Sequence, residues 1–330
     1  MIAWIFPGQG SQKASMAAGI EGCRQLFNTA QSIIGTNLER LCTTDSDPTW
    51  TPEIIQQALY ITSVGAARAA LDRNIQPQAV AGHSLGEFPA LVAAGSLSFE
   101  DGARLVDVRG KAMASAGRRN PGGMAAVMGL DPVVIEEICA NEGDVWVANF
   151  NSPKQTVISG KDRSLASAAE KCLQAGATRV VRLQVPVPSH SPLMEDARAE
   201  FEAALDKVSL KEPACPVYCG ADGLAHTDPR EIGHLVAQAI TSPVRFVDTI
   251  QAMRSGGVET FVECGPGKVL RSLVRQIDAG AKLTAVGNDE EAAAFEESVV
   301  GSSPHSARPS PNSTRRSIMP SSEAAVGITS

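Results

Sequence analysis

A serine flanked by glycines, Ser84 in the G-x-S-x-G pattern of residues 82–86, is the first candidate for chemistry in this chain. The apolar run Ala79–His83 predicts a strand before it, and a brief helix is predicted after it. Glycine on both sides allows a sharp turn that exposes the hydroxyl, and the helix N-terminus supplies backbone N–H groups suited to an oxyanion. The pattern therefore predicts a nucleophile, and a tight turn with an incidental serine is the alternative.

A serine nucleophile needs a base, and the chain has five histidines. We favour His190, because prolines flank it in the segment 187–192 and fix the backbone of a residue that must hold one orientation. His83 adjoins the serine, and neighbouring side chains usually point apart. His226 is expected in a loop and His234 on a helix. A purely structural role for His190 stays open at this point.

The segment after the first predicted strand carries two glycines around Gln9. Glycine permits the backbone to approach a ligand closely, so the N–H of Gln9 is a candidate oxyanion donor, paired with the N–H of Leu85. A plain turn or a phosphate-binding loop is the alternative. It is not a Walker loop, because no Gly-Lys-Ser/Thr follows.

Arg109 is a charged residue on an apolar helix face. On the helix predicted from Ser98, Leu105, Val106 and Met113 share one face at 100° per residue, and Arg109 falls in the middle of it. A buried guanidinium needs a partner, because removing one partner of a buried pair costs about 3–5 kcal/mol. That partner is either an internal carboxylate or a substrate carboxylate held by the planar fork.

The elements that must position these residues alternate between strand and helix, which predicts an α/β fold with a mostly parallel sheet. Residues 122–185 instead have the order βαββαβ, which is typical of a ferredoxin-like unit. We therefore expect a large α/β catalytic domain built from residues 1–118 and 188–298, with a small ferredoxin-like domain, residues 119–187, inserted in it. Thr51-Pro52 and Ser98-x-x-Asp101 predict two helix starts.

The composition is that of a globular protein, with 330 residues, 43% hydrophobic and 20% charged, and a net charge of −7. The acidic balance argues against nucleic-acid binding. No apolar run of membrane-spanning length and no secretory signal is recognised, so a cytoplasmic protein is expected. Residues 299–330, rich in serine and proline and containing His305, are expected to be disordered.

The seven cysteines are scattered, which favours reduced thiols. Cys215 and Cys219 form the one close pair, but they lack a second pair or a nearby histidine at zinc spacing, so we expect no metal site.

Six ordered motifs across about residues 1–298 resemble the malonyl-CoA:acyl-carrier-protein transacylase family, of the fatty-acid type or of the discrete type that serves polyketide synthases. These motifs are GQGSQ at 8–12, GHSLGE at 82–87, LVxxRGxxM at 105–113, NxNSP at 149–153, VPSH at 187–190 and ExGPGKVL at 263–270. The resemblance implies an α/β-hydrolase-like large domain with a ferredoxin-like insertion.

The resemblance also implies a role for each candidate residue. The nucleophile falls on Ser84, the base on His190, the oxyanion amides on Gln9 and Leu85, and the carboxylate-binding arginine on Arg109. A malonyl group would then pass from malonyl-CoA through a malonyl-serine to the phosphopantetheine thiol of an acyl carrier protein.

In this family a backbone carbonyl, and not an acid, orients the histidine, and Gln238 is its counterpart by resemblance. Five residues lead from Gln238 to Pro243, where one fewer is expected. The resemblance implies a monomer without metal or redox cofactor. Carrier proteins are acidic, so we expect a basic patch on this protein to bind them. The alternative is that the candidate residues are merely solvated surface charges. The candidates are Arg118, Arg119, Lys268 and Arg271.

Three other functions are compatible with parts of this pattern. The first is a hydrolase, either an editing enzyme on the same scaffold or an unrelated esterase. An editing enzyme is disfavoured because such relatives are expected to lack the arginine at position 109. An esterase is disfavoured because no clear triad acid lies between Ser84 and His190. A non-catalytic docking partner is disfavoured by the intact serine and histidine. The transferase component of a malonate decarboxylase would use the same chemistry with another carrier.

Overall fold

The computed structural model describes residues 1–44 and 51–300. The segment 301–330, which holds most of the predicted disordered tail and His305, lies outside the described residues. Seven cysteines are buried and carry free thiols. No helix among the described residues is both long enough and apolar enough to cross a bilayer.

The strands form two separate sheets of six and four strands. In chain order they are β1 (Ile2–Phe6), β2 (Ala79–Gly82), β3 (Gly122–Met128), β4 (Val145–Ser152), β5 (Gln155–Lys161), β6 (Arg179–Arg182), β7 (Val217–Tyr218), β8 (Ala225–His226), β9 (Thr260–Cys264) and β10 (Lys282–Val286).

In residues 1–44 and 51–300, twelve α-helices connect and cover the sheets. They are α1 (Cys23–Ile34), α2 (Glu39–Thr43), α3 (Pro52–Leu71), α4 (Glu87–Ala93), α5 (Phe99–Arg119), α6 (Pro132–Glu142), α7 (Asp162–Gln174), α8 (Glu195–Leu205), α9 (Pro229–Gln238), α10 (Phe246–Ser255), α11 (Val269–Ile277) and α12 (Asp289–Val300).

The larger sheet has the order β10-β9-β1-β2-β7-β8, and all its pairs are parallel except β7 with β8. Side chains alternate across β1, so that Trp4 and Phe6 enter the main core on one face while Ala3 and Ile5 enter a second core on the other. Helices therefore cover both faces, which is the usual solution for a parallel sheet whose strands are continuously apolar.

The two predicted helix starts are confirmed. The Thr51 hydroxyl accepts a hydrogen bond from the N–H of Ile54 at the start of α3. At the start of α5 the Ser98 hydroxyl accepts from the N–H of Asp101 and donates to its carboxylate. These side chains satisfy N–H groups that have no partner inside a helix, and they fix where the two longest helices begin.

The smaller sheet is antiparallel, with the order β4-β5-β3-β6, and its chain order with α6 and α7 is the predicted βαββαβ. One face packs against α6 and α7. The other face carries a small apolar cluster of Met124, Ala126, Ala148 and Val157, which faces the larger sheet's helices across a cleft. The predicted α/β class with a ferredoxin-like unit is confirmed.

The two sheets are tied together by the backbone of Val244. Its N–H donates to the carbonyl of Ala148, and its own carbonyl accepts from the N–H of Phe150. Ser152 at the end of β4 also donates to Gln276 of α11. The end of β4 is therefore hydrogen-bonded to the part of the molecule that contains the larger sheet. These bonds fix the width of the cleft between the two sheets.

Candidate active site

The candidate nucleophile Ser84 lies between β2 and α4, in a 3-10 turn that covers Ser84–Gly86. Its φ is 55°, in the left-handed region that non-glycine residues rarely adopt. A Cβ on Gly86 would overlap the carbonyl of Phe6, and one on Gly8 would overlap the carbonyl of His83. Glycine at these two positions thus lets the loop after β1 pack directly against the turn that carries the serine.

The candidate base His190 is also held in the left-handed region, with φ 59°, and is 4% exposed. Its Nε2 lies 2.8 Å from the Oγ of Ser84, and its Nδ1 lies 2.7 Å from the carbonyl oxygen of Ala239. A carbonyl only accepts, so Nδ1 carries the proton and Nε2 is free to accept the hydroxyl proton of Ser84.

Burial keeps this imidazole neutral. Desolvation, followed by the positive charge of Arg109, lowers the pKa of His190 to about 3. The ring is therefore in the form that accepts a proton, and its orientation is set by the backbone of Ala239.

The predicted orienting role of Gln238 is wrong in this geometry. The carbonyl of Gln238 is the last of α9, and it accepts from the N–H groups of Thr241 and Ser242 and from the Thr241 hydroxyl. The carbonyl of Ala239, one residue beyond the helix, is the one that faces His190. The extra residue before Pro243 was the signal, because counting back one residue fewer from Pro243 ends at Ala239.

Arg109 is buried, as the helical periodicity predicts, with 4% of its surface exposed. Its Nη1 donates to Gln56 Oε1 at 2.5 Å and its Nη2 donates to Ser84 Oγ at 2.9 Å. Within the described residues no carboxylate oxygen lies within 4.0 Å of it, so the internal ion pair considered from the sequence is not formed. Burial lowers the pKa of Arg109 to about 10, which still leaves the guanidinium charged at neutral pH.

The two predicted oxyanion donors line the same cavity as Ser84. Leu85 follows the serine within the 3-10 turn, and Gln9 lies in the loop after β1. In residues 1–44 and 51–300 the N–H of neither residue has a hydrogen-bond acceptor. Two unengaged backbone donors at one cavity form a site where developing negative charge can be stabilised.

The cavity itself measures about 120 Å³ and lies between the two sheets. The smaller sheet contributes an apolar wall with Met124, Val157 and Leu183, and the polar residues face it from the other side. A second opening of about 540 Å³, lined in part by Arg182 and Gln184, adjoins it through Gln9. The arrangement leaves room for a small acyl group at the serine and for an extended substituent leading outward.

The sequence interpretation missed three polar residues of the cavity wall. Gln56 is buried on α3, and its Oε1 accepts a hydrogen bond from Arg109. His83 lines the cavity too, and its Nε2 lies 2.8 Å from Asn151 Oδ1. A polar pair, Gln56-Gln57, inside an apolar helix was the available signal. Asn151 belongs to a motif noticed for its resemblance alone.

The remaining described histidines lie apart from the cavity lining. His226 contacts the carboxylates of Asp222 and Glu231, and His234 is on α9. Among residues 1–44 and 51–300 there is no cluster of three or more His, Cys, Asp or Glu side chains suited to a metal ion.

Comparisons with known proteins show which family the chain belongs to. The sequence profile of the acyl transferase domain family matches residues 3–288. The chain is 37% identical over 312 residues to the malonyl CoA-acyl carrier protein transacylase of Haemophilus influenzae, covering 91% of this chain and 99% of the relative. It is 36% identical to the protein of the same name from Bacillus subtilis, covering 88% and 94%.

Solved structures give the same result. The malonyl CoA-acyl carrier protein transacylase from Coxiella burnetii superposes with a TM-score of 0.86 at 33% identity, covering 90% of this chain and 96% of that one. A type II PKS acyl-carrier protein in complex with its malonyl-transacylase contains a chain with a TM-score of 0.86 at 33% identity, covering 90% and 99%.

Proposed function

The chain belongs to the acyl transferase domain family, and from that membership and the site we propose that it is an acyl-carrier-protein S-malonyltransferase. It moves a malonyl group from malonyl-CoA to the phosphopantetheine thiol of an acyl carrier protein, in fatty-acid or polyketide synthesis. The reaction runs through a malonyl ester of Ser84.

In the first half-reaction His190 Nε2 takes the hydroxyl proton of Ser84 while Oγ attacks the thioester carbon of malonyl-CoA. The tetrahedral oxyanion lies against the N–H groups of Gln9 and Leu85. When it collapses, the carbon–sulfur bond breaks and the CoA sulfur leaves with the proton from His190. The malonyl ester of Ser84 remains.

In the second half-reaction the phosphopantetheine thiol of the carrier gives its proton to His190, and its sulfur attacks the ester carbonyl. The same two amides stabilise the second oxyanion. Collapse breaks the bond to Ser84, whose oxygen regains the proton, and malonyl-carrier protein leaves. Ala239 holds the imidazole in one tautomer through both steps.

The observation that carries the malonyl assignment is the guanidinium of Arg109, which is buried, charged and bonded to neutral partners at the nucleophile. A buried cation of this kind is stabilised by an anion, and a carboxylate matches its planar fork. A malonyl ester on Ser84 brings such a carboxylate into the cavity, whereas an acetyl ester does not. The reaction needs no metal or redox cofactor, because the nucleophile, the base and the anion ligands are all groups of the chain.

The carrier protein is proposed to dock through exposed basic residues. Of the four candidates from the sequence, Arg119 pairs with Asp196 and Arg271 pairs with the buried Glu263. Arg118 and Lys268 are exposed and, among the described residues, have no carboxylate within 4.0 Å. These two are available for the acidic surface of a carrier.

The test is incubation with malonyl-CoA and measurement of the intact protein mass, before and after addition of carrier protein bearing its phosphopantetheine. One malonyl group should add to the enzyme and then pass to the carrier. Ser84→Ala should abolish the adduct, and Ser272→Ala, which changes an exposed serine on α11, should keep it. An adduct that persists in Ser84→Ala would assign the nucleophile elsewhere, and an adduct that is released only to water would support a hydrolase.

A further inference from the structure

The two proposed oxyanion donors are held in place by different kinds of bond. The N–H of Leu85 shares its peptide with the carbonyl of Ser84, and that carbonyl accepts a hydrogen bond from the N–H of Glu87. Backbone pairing in the 3-10 turn therefore fixes this donor. The N–H of Gln9 lies in the loop after β1, in a stretch that belongs to neither a helix nor a strand. Its orientation must be set by something other than regular backbone pairing.

A buried hydroxyl holds the peptide that carries the Gln9 donor. Ser11 is 5% exposed, and its Oγ donates to the carbonyl of Gly8 at 2.5 Å. Among residues 1–44 and 51–300, no other group donates to this carbonyl. In a planar trans peptide the carbonyl and the following N–H point in opposite directions. Because Gln9 lines the cavity and Ser11 does not, the bond at Ser11 directs the N–H of Gln9 towards the cavity.

The peptide needs such a bond because glycines lie next to it. Turning a peptide over changes ψ of the residue before it and φ of the residue after it, and Gly8 has no Cβ to resist the first change. Gly10, one residue beyond Gln9, already lies in the left-handed region with φ 107°. A peptide that turned over would present the Gly8 carbonyl oxygen to the cavity, and that oxygen would repel an oxyanion.

A second side chain of the same loop holds the next peptide. Oε1 of Gln12 accepts the N–H of Gly10 at 2.7 Å. This N–H shares its peptide with the carbonyl of Gln9, so the peptides on both sides of Gln9 are each bound to a side chain. Ser11 is buried and Gln12 is half-buried, so water competes less for the bond that Ser11 makes.

The position of Ser11 is confined by the turn after β9, which carries the motif GPGK at 265–268. A Cβ on Gly267 would lie 3.4 Å from the Cβ of Ser11. A Cβ on Gly265 would lie 3.1 Å from the ring of Pro7. Strands β9, β1 and β2 are parallel neighbours, so the loops that follow them meet at one edge of the sheet. The loop after β1 is therefore packed between this turn and the turn that carries Ser84.

We propose that Ser11 is a positioning residue of the oxyanion site, whose hydroxyl holds the peptide between Gly8 and Gln9 so that the N–H of Gln9 faces the oxyanion. This inference rests on the proposed function. Ser11 does not line the cavity, so it acts only through this peptide. Without the hydroxyl the peptide populates both orientations, and only molecules in which the N–H faces the cavity react at the full rate. Both half-reactions are slowed, because the same amide serves both oxyanions.

Ser11→Ala separates catalysis from binding. The rate constant for acylation of Ser84 at saturating malonyl-CoA should fall by at least about tenfold, up to the roughly 10²–10³-fold that loss of one oxyanion donor costs. The dissociation constant of malonyl-CoA, measured by calorimetry in the Ser84→Ala background, should change far less, because the amide acts chiefly on the transition state. Quenched-flow loading gives the rate constant. Acylation of Ser11→Ala at the wild-type rate would overturn the proposal.

The carbonyl stretch of the acyl-enzyme reports the orientation of the peptide directly. Malonyl-CoA that carries a heavy carbon isotope at the thioester carbonyl gives an isotope-edited infrared band for the ester on Ser84. Hydrogen bonds from the amides move this band to lower wavenumber. Ser11→Ala should add a second band at higher wavenumber, from molecules in which the peptide has turned over. A slower variant with an unchanged band would overturn the proposal, because its loss of rate would not come from the oxyanion site.

Ser96→Ala is the matched control. Ser96 is 1% exposed and its Oγ donates to the carbonyl of Lys211 at 2.7 Å, so this variant also loses a buried bond from a serine hydroxyl to a backbone carbonyl. It should lower the Tm about as much as Ser11→Ala does, while the acylation rate and the infrared band stay as in the wild type. An equal loss of rate in the two variants would make the role of Ser11 merely structural.

A conservative variant completes the series. Ser11→Cys places a weaker donor at the same point, so its acylation rate and its share of the second band should lie between those of the wild type and Ser11→Ala. If Ser11→Ala does not fold, Ser11→Cys carries the same test, and a wild-type rate with a single band in it would overturn the proposal.

Failure of this inference differs from failure of the proposed function. If the chain is not a malonyltransferase, wild-type protein gains no malonyl group on Ser84. If only the inference is wrong, the wild-type adduct forms normally and its carbonyl band is the same in Ser11→Ala.

Discussion

Nη2 of Arg109 lies 2.9 Å from Oγ of Ser84 and donates to it, so the buried guanidinium and the proposed nucleophile are in direct contact. The carboxylate and the thioester carbonyl of a malonyl group are separated by a single carbon. Only an anion-binding group this close to the nucleophile is able to hold one end of so short a substrate while the other end reacts. With the proposed function, we therefore expect discrimination between acyl groups to depend on Arg109.

Replacing Arg109 tests this directly. Arg109→Ala should cost malonyl transfer about 2–5 kcal/mol in kcat/KM, because a charge-assisted bidentate pair is lost. Transfer from acetyl-CoA should change far less, so the ratio of the two rates should collapse. Stopped-flow or quenched-flow loading with both thioesters measures it. Equal losses with both substrates, together with a much lower Tm, would instead make Arg109 a residue of structural importance alone.

The acid limb of the pH profile tests the environment of His190. Because burial and Arg109 lower the pKa of His190 to about 3, the base stays neutral in mild acid. We expect kcat/KM for loading to stay level from about pH 7 to about pH 5. With a histidine of ordinary pKa, about 6.5, the neutral fraction and hence kcat/KM would fall roughly twenty-five-fold over that range.

The control is the pH profile of kcat/KM for loading of the Arg109→Ala variant with acetyl-CoA. Removing the positive charge raises the pKa of His190, so the acid limb should move to higher pH. Circular dichroism at each pH separates protonation from unfolding. A fall of kcat/KM in the wild-type enzyme with an apparent pKa near 6.5 would contradict the buried environment of His190.

The close packing of the nucleophile turn against β1 predicts a steric effect. Gly86→Ala places a Cβ against the Phe6 carbonyl, and backbone gives way less easily than a side chain. We expect at least about 2 kcal/mol of destabilisation in urea unfolding. Gly22→Ala, where a Cβ meets nothing within 4 Å, should stay within about 0.5 kcal/mol of the wild type. Similar stabilities for the two variants would show that the turn can move away from β1.

Carrier docking is tested at Lys268, which is exposed at the start of α11. Lys268→Glu should raise the KM for carrier protein roughly fivefold at low salt, as loss of an exposed ion pair worth about 1 kcal/mol would do. The rate of loading at saturating malonyl-CoA should not change. High salt should shrink the difference between variant and wild type. An unaltered KM at low salt would remove Lys268 from the docking surface.

Much of the fold was predictable because the sequence carries local signals for it. The first predicted strand, the helix starts at Thr51 and Ser98, and the βαββαβ order over residues 122–185 are all confirmed by the structure. The predicted βαββαβ unit extends to residue 185, but its last strand, β6, covers only Arg179–Arg182 in the structure. The chain beyond it lines the cavity and does not pair with β3 throughout.

The site was predictable where a local motif, such as the G-x-S-x-G pattern at Ser84, or a residue type unusual for its surroundings marks it. Arg109 stood out as a charge on an apolar face, and His190 as a histidine between prolines. Ala239 acts through its backbone, which every residue has, so no side chain marks it. Gln56 is a polar residue in a buried helix, and its partner comes from a distant part of the chain that local patterns do not join.

Ser84 and His190 both have a left-handed backbone conformation, so the positions proposed for catalysis also lower the stability of the fold. An L-residue in that region costs about 1–2 kcal/mol that glycine would not. Glycine at either position would therefore relieve this backbone strain while removing the proposed nucleophile or the proposed base. A stabilised design of this enzyme must take its gains from other positions.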